Sequence, residues 1–81
     1  MRVLCDRMLG RLARWLRLMG VDSIYPREVD DGVLVRMARE QGRVLLTRDR
    51  GLAERLGANG LYIPEHGIDG QMAAFVRAFG M

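Results

Sequence analysis

Four aspartates carry the chemistry this sequence could perform. Asp6 follows the run Arg2 to Cys5 (RVLC), Asp49 ends the run RVLLTRD that begins at Arg43, and Asp30 and Asp31 form an adjacent pair between them. Carboxylates are hard oxygen donors, and three or four of them brought together suit Mg²⁺ or Mn²⁺ with several waters retained. Such an ion activates water and neutralises a phosphodiester undergoing in-line attack. One cysteine, Cys5, and one histidine, His66, leave no ligand set for a thiolate or imidazole zinc site. By spacing alone the acidic pattern is not specific, because paired aspartates at strand ends also occur in phosphatases, phosphoacceptor domains and non-catalytic folds. The Asp30–Asp31 pair has a plain structural use as well, one residue capping a helix and the other complementing its dipole.

Arginine is the second chemical theme. All thirteen cationic residues are arginine, which removes every mechanism that needs a lysine. The formal charge is +3, but if the four aspartates share one cleft, the remaining surface carries thirteen positive against six negative charges. Such a surface suits a polyanion. Arg7, Arg11 and Arg14 fall in one narrow helical stripe with Arg17 beside it, and guanidinium groups at that spacing can meet successive phosphates. A solvated helix face in an arginine-rich chain would look the same.

The elements that must position these residues alternate between strand and helix. Val44, Leu45 and Leu46 form an unbroken apolar run between Gly42 and the polar Thr47, Arg48 and Asp49, the pattern of a strand buried on both faces. Val3, Leu4 and Cys5 repeat it ahead of Asp6. A helix is predicted from Met8 to Met19, with Met8, Leu9, Leu12, Ala13, Trp15, Leu16 and Met19 inward and Gly20 as its stop. Gly10 in its first turn costs about 1 kcal/mol against alanine, which points to close packing or close approach of a ligand. Asp22 to Tyr25 is a short strand ended by Pro26. Asp30 or Asp31 caps a helix to Gln41 with Val33, Leu34, Met37 and Ala38 buried. A short helix from Gly51 to Leu56, a strand from Leu61 to Ile63, and a helix from Gly70 to Phe79 capped by Asp69 complete the chain. That last helix presents Met72, Ala73, Phe75, Val76 and Phe79 inward, while His66 lies in the loop before it as an exposed residue or minor contact.

Four β-α units predict an α/β fold with a four-stranded parallel sheet in the order 2-1-3-4 and helices on both faces. That order puts the switch point between the two aspartate-ended strands, where open α/β sheets bind ligands. At 81 residues the chain is read as one domain, 1–81, with an ordinary apolar share of 49%. Cys5 is a small core residue that forms no internal disulfide. No segment reaches the roughly 18 apolar residues of a membrane span and no signal-peptide layout is present, so a cytoplasmic location is expected.

The runs DRMLGRLARWLRLMGVDSIY and DDGVLVRMAREQGRVLLTRD, with the later Asp69 and Gln71, resemble the PIN-like ribonuclease family of the Mut-seven carboxy-terminal type. The resemblance covers nearly the whole chain, and MLGRLARWLR with LLTRDRGL is its specific part. It implies a PIN-like three-layer fold and metal-dependent cleavage of RNA by acidic residues at the sheet's C-terminal edge. Carried over by position, the catalytic residues are Asp6, Asp30, Asp31 and Asp49, with Asp6, Asp31 and Asp49 as ligands for Mg²⁺ or Mn²⁺. Thr47, Arg48 and Arg11 are then candidates for RNA contact, beside Arg7 and Arg14 of the stripe. Gly32 stands where an acidic residue is common in the family, and the cysteine-rich zinc ribbon that many members add has no counterpart in this sequence. A phosphoacceptor receiver needs a lysine and a fifth strand, which this sequence lacks. The remaining alternative is a non-catalytic RNA-binding or toxin/antitoxin-type module, and a homodimer or a protein partner is compatible with either reading.

Overall fold

The computed structural model describes residues 1–80. Its sheet holds β1 (Arg2–Cys5), β2 (Asp22–Ile24), β3 (Val44–Thr47) and β4 (Gly60–Tyr62), all parallel, in the order β2-β1-β3-β4. The connecting helices are α1 (Gly10–Leu18), α2 (Asp31–Gln41) and α3 (Arg50–Leu56), and α4 (Ile68–Phe79) follows the last strand. The expected order is therefore the observed one. Short 3-10 turns precede α1 (Arg7–Leu9) and follow α3 (Gly57–Asn59), and neither announces itself in the hydrophobic pattern.

Side chains alternate across each strand, so the two central strands divide their apolar residues between two cores. Val3, Cys5 and Leu46 point to one face, where Leu9, Leu12, Ala13 and Leu16 of the first helical segment and Phe75 of α4 cover them. Leu4 and Leu45 point to the other, beneath Leu34, Val35 and Ala38 of α2 and Leu52 and Leu56 of α3. The result is three layers, α1 and α4 over the sheet over α2 and α3. Each fully buried leucine contributes roughly 1.5–3 kcal/mol by leaving water. Cys5 lies in this core, where burial pushes its thiol up to about 12, so it is an inert packing residue.

Several inward assignments need correction. Trp15, Met8 and Met19 are exposed, at 49%, 62% and 48%. They border the buried arc centred on Leu9 and Leu16, and the narrow sheet covers only that arc. On α2, Val35 is buried while Val33 is only partly so, and on α4, Ala74 rather than Ala73 packs on the core. Asp69 does not cap α4, whose N-cap is Gly67; Asp69 sits in the first turn. Arg43, counted above among surface charges, is buried at 6% exposure.

Two glycines are fixed by close approach. A Cβ at Gly60 would come within 2.5 Å of the Ala53 carbonyl oxygen, so β4 can lie against α3 only without a side chain there. At Gly10 it would meet the Tyr25 ring at 2.9 Å, and that ring's hydroxyl donates to the Arg7 carbonyl at 2.6 Å. Packing by Tyr25, and not a ligand, therefore accounts for the glycine in the first turn of α1.

Candidate functional site

At the C-terminal end of the sheet β1, β3 and the start of α2 border a cleft of about 600 Å³. Asp6, Asp30, Asp31 and Asp49 all line it, joined by Arg7, Met8 and the apolar Pro26, Val29, Leu34 and Leu52. The topology explains the convergence. The chain leaves β1 toward β2 on one side and leaves β3 toward β4 on the other, which opens a crevice between their ends.

Three of the four carboxylates are held by local structure. Asp6, 8% exposed, takes three hydrogen bonds: the Met8 N–H donates to Oδ1 at 2.9 Å, the Arg48 N–H donates to Oδ2 at 3.1 Å, and the Thr47 hydroxyl donates to the same Oδ2. That hydroxyl also accepts the Asp49 N–H at 3.0 Å. Thr47 thus joins the backbone of one carboxylate residue to the side chain of the other. Asp49 caps α3 by accepting the Leu52 N–H on Oδ1 at 3.1 Å, and Asp30 caps α2 by accepting the Val33 N–H on Oδ1 at 2.9 Å. Among the described residues, the second oxygen of Asp30 and of Asp49 has no protein partner, and the Asp31 side chain has none at all. The question of which neighbour caps α2 resolves to Asp30, and both neighbours border the cleft.

The two capped helices share a sequence detail. Gly32 and Gly51 each follow a capping aspartate by two positions, and a Cβ at either would lie 3.4 or 3.5 Å from that cap's Oδ1. Glycine leaves the flank of each carboxylate open. Among the described residues, no three His, Cys, Asp or Glu side chains stand close enough to enclose a metal ion jointly.

Two of the expected RNA contacts are placed elsewhere. Thr47 is fully buried with its hydroxyl committed to Asp6, so it presents no surface to a substrate. The Arg48 guanidinium turns toward the loop after β4, donating to the Pro64 carbonyl at 3.0 Å and to His66 Nε2 at 3.1 Å. Arg48 therefore serves the cleft through its main chain. Arg7 lines the cleft, whereas Arg11 and Arg14 are exposed on α1 outside it. Met8, Pro26 and Val29 are the lining residues that sequence reasoning missed. As apolar residues in or beside a turn they carry no chemical signal, and their role as walls exists only once the strands are placed.

Among the described residues, no helix is long and apolar enough to cross a membrane. Neither the curated proteins nor the solved structures contain a match to this chain. Residues 1–81 match the family described as the Mut7-C RNAse domain, a name that indicates a ribonuclease-type role and fits a crevice walled by carboxylates with arginine at its rim. On that match, which spans the entire sequence, the chain belongs to the Mut7-C RNAse domain family.

Proposed function

We propose that the cleft hydrolyses RNA phosphodiester bonds with a hydrated Mg²⁺ or Mn²⁺ held, directly or through its waters, by Asp6, Asp31 and Asp49, and with Asp30 completing the acidic wall. The convergence of four carboxylates from three separate segments of the chain in one crevice carries this reading. The donor set fits a hard cation, being all oxygen, with free oxygens on Asp30, Asp31 and Asp49 and glycine beside two of them. Because no three of them close on one ion among the described residues, the ion would keep most of its water and take one or two carboxylates directly. Bound there, the ion would lower the pKa of water and polarise a phosphoryl oxygen.

The protein's own part is positioning. Asp6 is locked by three donors, so its charge needs no rearrangement when substrate arrives. The free oxygens of Asp30 and Asp49 can accept hydrogen bonds from an attacking water and orient it toward phosphorus. Arg7, at the rim, attracts the phosphate that this negative wall would otherwise repel.

A second reading has its own observation. Asp30 and Asp49 already cap helices, a role that needs no metal and suits a module that binds RNA without cutting it. Titrating Mn²⁺ into a nuclease assay on single-stranded and structured RNAs, with Asp49→Asn as the control, separates the two. Cleavage that rises with Mn²⁺ and disappears in the variant is expected. Binding without cleavage at any metal concentration would leave only the module.

A further inference from the structure

The solvent face of α1 mixes arginine with large apolar side chains that nothing in the fold covers. Trp15, Leu18 and Met8 are exposed at 49%, 73% and 62%, and at 100° per residue Arg11 falls between Trp15 and Leu18, with Arg7 and Arg14 just beyond. Residues 7–21 contain four arginines and no acid. Among the described residues the salt bridges use Arg2, Arg43 and Arg77, so none neutralises this face. Its lower end, Arg7 and Met8, is also a wall of the carboxylate cleft.

We propose that this face is the binding track for unpaired RNA, with Trp15 as a stacking platform for one base and Arg11 and Arg14 on the flanking phosphates. The inference rests on the ribonuclease reading for its polarity, cleft to helix, and on α1 alone for its binding chemistry. An indole ring offers a π-face to a base that is not engaged in a duplex, and guanidinium groups beside it meet the backbone. Trp15 lies seven residues from Met8, about 10 Å along the axis, or about three nucleotides of a stacked strand. A second copy of the chain is a poorer occupant, because a two-fold contact would set arginine against arginine. The substrate class that follows is single-stranded RNA or an unpaired loop, since a base held inside a helix keeps its faces covered.

Trp15 is the only tryptophan in the chain, so intrinsic fluorescence reports on this residue alone. The experiment titrates the metal-free protein with a 12-nucleotide single-stranded RNA, a duplex of matching composition, an oligonucleotide with abasic sites, and anionic vesicles. Quenching by the single strand, with weaker quenching by the duplex and the abasic strand, is expected. Read by the anisotropy of a dye-labelled strand, which needs no tryptophan, Trp15→Ala should lose about 5- to 150-fold in affinity, and Trp15→Tyr should regain most of it. Circular dichroism verifies that each variant is folded. Equal quenching by duplex and single strand, or unchanged affinity in Trp15→Ala, would overturn the proposal. So would a response to vesicles alone, or self-association that Trp15→Ala abolishes without affecting RNA. The two readings fail separately: loss of Mn²⁺-dependent cleavage with intact quenching strikes the cleft, and cleavage that survives Trp15→Ala with unaltered KM strikes the track.

Discussion

Thr47 is the residue that links the two strand-end carboxylates, although it is itself fully buried. Its hydroxyl donates to Asp6 and accepts from the Asp49 main chain, so removing it orphans a donor and frees an acid together. Thr47→Val keeps the shape and should cost roughly 1–3 kcal/mol in urea unfolding, while Thr47→Ser recovers most of it. Cleavage should fall in Thr47→Val well below its melting temperature, because Asp6 can then rotate. Asp49 behaves differently. Asparagine caps helices about as well as aspartate, so Asp49→Asn should leave stability within about 0.5 kcal/mol, whereas Asp49→Ala costs about 1 kcal/mol. Both should lose metal-dependent cleavage and shrink the thermal shift that Mn²⁺ gives the parent, since a ligand stabilises only the state that holds it. A large loss of stability in Asp49→Asn together with an unshifted parent melt would reduce Asp49 to a helix cap.

At the scale of elements, α1 shows both the reach and the limit of sequence periodicity. The pattern identified the helix and its arginine stripe, because alternation of apolar and charged residues is a property of the chain itself. The width of the buried face is not. It depends on how much sheet lies beneath, and four short strands cover Leu9, Leu12, Ala13 and Leu16 but leave Trp15 and Met19 outside. The same distinction divides the site. Asp6 and Asp49 were legible from where their strands end, whereas the burial of Thr47 and the outward turn of Arg48 follow from neighbours some forty residues away or across a loop. For the stripe, Arg11→Gln with Arg14→Gln should weaken RNA binding and flatten its dependence on log salt by roughly 0.7 per lost contact to a single strand. An unaltered slope would make these arginines a solvated surface.

For the whole molecule, the end of the sheet away from the cleft is closed by a buried cation. Arg43 Nη1 donates to the Val3 carbonyl at 3.1 Å, to the Asp22 carbonyl at 3.2 Å and to Asp22 Oδ1 at 3.0 Å, which ties β1 and β2 to the start of β3. Its hydrogen bond holds the Asp22 carboxyl below the usual aspartate range. A lowered folded pKa means stability that is complete above the ordinary aspartate value near 4 and is lost as pH falls below it. Melting temperature should therefore fall as pH drops below about 4, and Asp22→Asn should remove part of that fall while lowering stability at pH 7. Gly60→Ala tests the packing of β4 on α3. With backbone at 2.5 Å nothing flexible can yield, so the cost should reach about 1–3 kcal/mol or more, or at least roughly 4–8 °C in Tm for a chain of this size.

The central place of β1 also sets a clock on biosynthesis. Asp6 emerges before its partner Thr47, which lies 41 residues later, about 2–8 s of ribosomal elongation. Until β3 is out, β1 lacks one neighbour and Asp6 lacks the Thr47 hydroxyl and the Arg48 N–H. A nascent chain surrounded by ribosomal and messenger RNA thus carries the arginine helix before it carries a finished cleft. A fragment covering residues 1–42 should hold RNA weakly through α1 and cut none of it.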